Sequence, residues 1–486
     1  MMDLDTKLQI KAIYNAGEEA VITLVLGLLE KTFQLEHVIK SQEERIKALE
    51  EKLKKDSRNS NKPPSSDGLK RKPKGKRPKS NRKTGGQKGH KGSTLNQVDN
   101  PDHVHNHTLD ECSNCQCSLQ DSLVLDHKKR QVFDVPPLAL EVYEHRAEVK
   151  KCPRCGVINT ATFPESVLQV VQYGARIKSL VVYLMQYQLL PSERTTELIK
   201  DLFSHPISEG TLFNWNQAAY QTLEKTEAEI KQQLLQSPVN HFDETGMFCE
   251  NKLNWLHVVS NPALTYFEIH PKRGQEAINT INILPHYKGT AVHDFWKPYL
   301  KYNSNHSMCN AHLLRELTAL YESKKQKWST QIQKLLVTIK KRVEHISQQA
   351  NSLDPTILRK FELEYDKLVS EGLNLNPVKV KKAKKRGRQK QSEATNLLLR
   401  LKNYRSYVLA FMYDFRVPFT NNLAERDLRM AKVKQKISGT FRSRDGANIF
   451  CRVRGFIATA KKNDLNIMDS ISQVFEGTPP SFNSYG

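Results

Sequence analysis

Between residues 238 and 310 the chain switches repeatedly between two hydrophobic periods, and few folds accept the order in which it does so. Three apolar-alternating runs follow in quick succession at 238–249, 254–260 and 264–270. Alternation with a period of two marks strands with distinct faces. A helical stretch at 274–284 comes next, then a fourth strand at 289–293, a short helix, and a fifth strand at 306–310. Helical periodicity runs through 311–374, an amphipathic helix is predicted over 394–414, and a final helix starts near Asn422.

The order β-β-β-α-β-α-β-α is that of a ribonuclease-H-like mixed sheet, here with a helical insertion before the last helix. The predicted architecture is α/β and multidomain, adding an N-terminal coiled coil and a small zinc-ribbon-like module to that sheet. Expected boundaries are 1–57 for the N-terminal helical segment, 58–98 for a basic linker, 99–160 for the metal module and 161–235 for a helical domain. The sheet domain takes 236–435, with its insertion at about 315–393, and a helical region closes the chain at 436–486.

A formal net charge of +23 over 486 residues points to an anionic partner, and its placement says more than its size. Residues 52–94 hold 16 Lys/Arg against 2 acids, and 379–390 hold 8 Lys/Arg and no acid. The other 431 residues carry 51 basic and 50 acidic side chains. This is a near-neutral protein with two basic segments. From Ser57 onward the first segment is Ser, Asn, Pro, Gly and Lys with almost nothing to bury, so it is expected to be disordered unless bound. Its cluster of Lys70, Arg71, Lys72, Lys74, Lys76, Arg77, Lys79, Arg82 and Lys83 suits phosphate contact with steep salt dependence; a solvated linker is the plainer alternative. A membrane surface fits poorly, because neither tract interleaves aromatic anchors. The apolar run at 21–29 is too short to span a bilayer, and acidic residues precede it, so no secretory segment is expected and the chain is placed in the cytoplasm on nucleic acid.

Residues 21–56 carry a heptad seam of Val21, Val25, Leu28, Thr32, Leu35, Ile39, Gln42, Ile46, Leu49 and Leu53. That seam predicts a dimeric coiled coil, with Gln42 able to fix register; packing on the same chain is the alternative. Further on, 191–219 reads as helix, turn, helix, broken at Pro206. The motif reads DNA in many proteins and equally serves to pack two helices.

Two Cys-x-x-Cys pairs carry the first chemistry. Cys112 and Cys115 form one, and Cys152 and Cys155, within Cys152-Pro153-Arg154-Cys155-Gly156, form the other. Four thiolates bind Zn²⁺ tetrahedrally and leave no open position, so the zinc is structural. Strands are predicted between the knuckles at 131–135 and 140–150. Cys117, His103, His105 and His107 lie close enough in sequence to replace a ligand.

Three acids carry the second. Asp243 sits on the first strand in His241-Phe242-Asp243-Glu244-Thr245, Asp294 follows the fourth, and Glu425 lies in the first turn of the final helix. In this topology the first and fourth strands are adjacent, so the acids can converge. Converging carboxylates repel unless hard divalent cations neutralise them, and Mg²⁺ or Mn²⁺ fits. Two such ions, about 3.5–4 Å apart, activate the attacking oxygen and stabilise the leaving oxygen of a phosphodiester. Each acid also has a bland reading. Asp243 can be a turn residue, Asp294 a helix cap, and Glu425 the third position of a capping box with Asn422. Arg426 and Arg429 flank Glu425 and can reach phosphates. Trp296 and Tyr299 can stack on a base or simply be half-buried. Cys309-x-x-His312, with no second pair nearby, reads as packing rather than zinc.

Taken together, the strings 59–68, 85–92, the paired knuckles, 241–245, 293–302, 309–317 and 418–429 resemble the bacterial insertion sequence sixty-six family of transposases, in the same order over nearly the whole chain. The resemblance implies a DDE-type DNA transposase with Asp243, Asp294 and Glu425 as its triad. Such an enzyme binds the element's terminal inverted repeats, cleaves at the element ends and transfers the 3′-hydroxyls to target DNA. It also implies a nucleoid-associated bacterial protein, acting as a homodimer or higher oligomer, whose element can encode accessory proteins. A non-catalytic regulator derived from a transposase and a metal-dependent nuclease of the same fold are the rival readings.

Overall fold

The computed structural model describes residues 4–53, 55–56, 59–60, 89, 92, 94–380 and 389–482. These separate into two units. One spans residues 72–168 with 193–209, and the other spans 1–71, 169–192 and 210–486.

Helix α1 (Leu4–Asn15) turns at Gly17, φ 104°, into α2 (Glu18–Leu53), an unbroken helix of 36 residues. The heptad residues Val25, Leu28, Leu35, Ile39, Ile46 and Leu49 stand in solvent along it.

In the cysteine-bearing unit, β1 (Val149–Lys151) pairs antiparallel with β2 (Ile158–Thr160). The strands predicted at 131–135 and 140–150 are not formed, apart from Val149 and Lys150. Val132 is 89% exposed and Val142 93%. An alternating pattern persists as a strand only with a pairing partner and a layer to pack on, and these side chains have solvent instead.

Helix α3 (Ala175–Val182) continues into a π-helical turn at Tyr183–Tyr187. Helices α4 (Ser192–Phe203) and α5 (Glu209–Thr222) are the two predicted around the break at Pro206, and α6 (Glu224–Gln236) follows.

The sheet is built from β3 (Val239–Cys249), β4 (Lys252–Ser260) and β5 (Thr265–His270), all antiparallel. Helix α7 (Gln275–Ile281) leads to β6 (Thr290–His293), and a 3₁₀ turn at Tyr299–Lys301 leads to β7 (Asn305–Met308). The order across the sheet is β5-β4-β3-β6-β7, with β6 and β7 parallel to β3. The first and fourth strands of the sheet are therefore neighbours, as predicted. Chain entry into β6 is tight: a Cβ at Gly289 would sit 2.6 Å from the Pro238 carbonyl oxygen, so only glycine fits.

Strand alternation sorts two cores. Phe242, Val259, Tyr266 and Ala291 join Ile278, Tyr287 and Ile457 in one. Met247, Leu256, Val258, Phe267 and Ile269 join Ala424, Leu428 and Phe450 in the other. A sheet covered on both faces protects any polar group at its strand ends from bulk water.

Helices α8 (Asn310–Lys324), α9 (Lys327–Ile346), α10 (Pro355–Leu375), α11 (Glu393–Asn403), α12 (Arg405–Val408) and α13 (Ala410–Tyr413) share a separate core around Leu317, Trp328, Leu336, Tyr365, Leu398 and Phe411. The single helix predicted over 394–414 is thus broken into three. Asn310 Nδ2 takes the Val408 carbonyl at 3.0 Å, while the Met412 N–H turns to Leu409.

Helices α14 (Asn422–Ser438), α15 (Arg444–Lys462) and α16 (Ile467–Phe475) complete the fold. A buried ion pair, Asp427–Lys462 at 2.8 Å, ties α14 to α15. Among the described residues no helix is long and apolar enough to cross a membrane.

Candidate active site and metal centre

Asp243 lies mid-strand on β3, paired with Val258 of β4, so it is not a strand-end turn residue. Asp294 leaves the adjacent β6. Its Oδ1 accepts the Trp296 N–H at 2.8 Å, a local turn, and the following 3₁₀ helix starts from Pro298 instead.

Glu425 reaches this place because of Asn421, a residue that sequence reasoning passed over. The Asn421 side chain meets His241 Nδ1 at 2.8 Å and donates to the Phe242 carbonyl at 2.9 Å. Its backbone N–H donates to Cys309 Sγ at 3.1 Å. One asparagine thus fastens the start of α14 to β3 and to the start of α8. It is also the N-cap of α14, yet its side chain makes no capping bond. The capping-box reading of Glu425 therefore falls away, and Glu425 Oε1 is buried with no hydrogen-bond partner among the described residues.

The acids act on one another electrostatically. Burial, then the charge of Glu244, and with them Asp294 and Glu425, push the Asp243 carboxyl well above the ordinary carboxylate range. Burial also raises Tyr299, helped by Glu244, Asp243 and Asp294. Glu244 is satisfied separately. Its Oε1 meets Arg273 Nη2 at 2.7 Å, and its Oε2 accepts the Tyr299 hydroxyl. The Arg273 guanidinium lies 4.8 Å from the Trp255 ring and 4.3 Å from that of Trp296. Trp296 and Tyr299 accordingly serve this arrangement, and Tyr299 is only 3% exposed.

An uncompensated carboxyl group and an orphaned buried oxygen are what a cation site leaves when only protein atoms are counted. The donor set fits Mg²⁺ or Mn²⁺. Arg426 and Arg429 sit exposed on α14 beside Glu425. Lys70, Arg71, Lys72, Lys74, Lys76, Arg77, Lys79, Arg82 and Lys83 lie outside the described residues, as does 381–388 of the second basic tract.

The two cysteine pairs adopt the same turn. The Cys112 N–H donates to the Cys117 carbonyl and the Gln116 N–H to the Cys112 carbonyl, each at 2.9 Å. At the second pair the Cys152 N–H donates to Val157 at 2.8 Å and the Gly156 N–H to Cys152 at 2.9 Å. Gln116 and Gly156 occupy the same left-handed position, φ 61° and 74°. Backbone N–H groups of Asn114 and Cys115 lower the Cys112 thiol to about 7, and those of Cys155 and Arg154 lower Cys152. Thiolates favoured by backbone donors are zinc ligands in waiting. The thiols of Cys112, Cys115 and Cys117 lie within 4.8 Å of one another. Cys117 matches Val157 in register, which sets it outside the repeated Cys-x-x-Cys pattern.

Three family models match the chain. Residues 170–449 match the Transposase IS66 family, residues 110–156 match the zinc-finger binding domain of transposase IS66, and residues 7–96 match a family of unknown function, DUF6444. No curated protein matches the chain.

Proposed function

The chain belongs to the IS66 transposase family, and we propose that it is a DDE-type DNA transposase with Asp243, Asp294 and Glu425 as its catalytic carboxylates. The observation that carries this is that the charges of Asp294 and Glu425 both reach the buried Asp243 carboxyl, while Glu425 Oε1 has no hydrogen-bond partner among the described residues. Strand order β5-β4-β3-β6-β7, antiparallel and then parallel, supports the ribonuclease-H-like reading. When bound, two Mg²⁺ or Mn²⁺ ions supply activation of the attacking oxygen and neutralisation of the leaving one.

The chain's own residues do the rest. Asp243 and Asp294 present oxygens from adjacent strands, and Asn421 holds Glu425 opposite them. Arg273 and Tyr299 occupy Glu244, so the fourth acid does not compete for the ions. Arg426 and Arg429 meet phosphates beside the site, and the basic cluster of residues 70–83 grips the terminal repeats. Cys112 and Cys115, which already lie within 4.8 Å of each other, would hold a structural Zn²⁺ once Cys152 and Cys155 close on them, and the ion would stiffen the module next to that cluster in sequence. Helix α2 pairs protomers through its exposed heptad seam so that two element ends are held together. Cleavage at the ends and transfer of the 3′-hydroxyl to target DNA are both in-line displacements, so one site serves both.

The test is a cleavage and joining assay on DNA carrying the element's ends. Asp243→Asn, Asp294→Asn and Glu425→Gln should each lose cleavage by roughly 10³-fold or more while end binding survives. Wild-type cleavage by any of the three would remove that residue from the triad, and cutting without joined product would leave a nuclease.

A further inference from the structure

Resting on the DDE reading, we propose that His312 is a nitrogen ligand of the divalent ion that Glu425 holds, making the centre one of three carboxylates and one imidazole. His312 stands in the first turn of α8, and its Nδ1 lies 3.9 Å from Glu425 Oε1. Both atoms are buried, and neither has a hydrogen-bond partner among the described residues. The charges of Glu425 and Asp294 both reach this imidazole, so it faces the same region as the acids.

Two buried polar atoms that face each other without a hydrogen bond are costly to leave unanswered in a core. A separation of 3.9 Å is too long for a direct hydrogen bond. It is within the span of two metal–ligand bonds of about 2.0–2.1 Å to one ion. A third group between them satisfies both, and the carboxylates alongside favour a cation.

The alternative suggested by Cys309-x-x-His312 is a zinc site, since Cys309 Sγ also lies within 4.8 Å of the other two ligand atoms. Cys309 is already engaged. Its sulfur is fully buried and accepts the Asn421 N–H, which anchors the start of α14. Cys309 therefore positions Glu425, and His312 completes the donor set. An imidazole among oxygen ligands shifts preference from Mg²⁺ toward Mn²⁺, because nitrogen donors favour the later metal.

The experiment uses the full chain with its cysteine sites filled with zinc, loaded with Mn²⁺ and studied by pulsed electron paramagnetic resonance and by Mn²⁺ titration. The wild type should show coupling of Mn²⁺ to one imidazole nitrogen. His312→Gln should lose that coupling and bind Mn²⁺ about 10-fold more weakly, with an unchanged circular dichroism spectrum. The wild-type spectrum decides the matter even if the variant fails to fold. Bound Mn²⁺ without nitrogen coupling would mean that water bridges His312 and Glu425, and would overturn the assignment. Asp243→Asn separates the two claims. If it abolishes Mn²⁺ binding while His312→Gln changes nothing, only the ligand proposal fails. If neither alters binding, the triad reading fails with it.

Discussion

At Asp243 the fold holds a carboxyl group whose proton is bound more tightly than in the unfolded chain, through burial first and the neighbouring Glu244, Asp294 and Glu425 after it. The sign of the consequence follows from linkage. The folded state binds more protons than the unfolded one across the interval between the two pKa values, so stability falls as pH rises through the raised folded value. Above it the ionised side chain is a standing cost that a bound cation removes. Asp243→Asn should therefore raise the melting temperature of the metal-free protein at alkaline pH, above the raised folded value. The gain should vanish below about pH 4, where the carboxyl is protonated in both states. Adding Mg²⁺ or Mn²⁺ should stabilise the wild type and leave the variant nearly unmoved. Differential scanning calorimetry across pH, with and without metal, reads all of this. A variant that gains nothing without metal, or as much as the wild type with it, would show that no cation sits against Asp243.

Helix α14 is placed by one residue to which the sequence reading gave no role of its own. Asn421 spends its side chain on His241 and Phe242 of β3 and its N–H on Cys309, so the helix start is fixed before Glu425 is reached. Asn421→Ala should cost about 1–3 kcal/mol by leaving buried partners unsatisfied. It should also lower strand cleavage sharply with end binding intact, as measured by urea denaturation beside the cleavage assay. Stability loss with undiminished cleavage would mean that Glu425 is positioned by other contacts. The contrast with the acids shows what the sequence made legible. Asp243, Asp294 and Glu425 could be proposed together because each occupies a definite slot in a strand and helix order that periodicity reveals. Asn421 could not, because its partners lie 112 to 180 positions away and its own neighbourhood looks like an ordinary helix start. The break between α12 and α13 was hidden for the same reason, since Asn310 supplies a hydrogen bond to the Val408 carbonyl from 98 positions away. The strands predicted at 131–135 and 140–150 failed in the opposite direction. There the local pattern was present, and the packing layer that would have made it a sheet was not.

Charge is partitioned along the whole chain, and on the proposed reading that partition separates grip from chemistry. Nearly all of the +23 lies in residues 52–94 and 379–390, while the remainder of the chain, the acids of the sheet included, is close to neutral. Binding to a polyanion gains from the release of condensed counterions, about 0.9 per phosphate neutralised on duplex DNA. On the proposed reading, ion binding at the carboxylates depends instead on donors from β3, the residue after β6, α8 and α14. The two functions should therefore come apart. Replacing the nine basic residues between 70 and 83 with Ser and Gly at constant length should weaken binding to end-containing DNA. The slope of log K against log salt should become shallower by several units, up to about 8 if every one of these side chains meets a phosphate. Fluorescence anisotropy titrations between low and moderate salt measure both. Mn²⁺ affinity and melting temperature should not change, because none of the removed charges belongs to the sheet or its cores. An unaltered salt slope would transfer the grip to Arg426, Arg429 and the tract at 379–390. A loss of Mn²⁺ binding would show that the basic cluster supports the carboxylates after all, and the separation of grip from chemistry would be wrong.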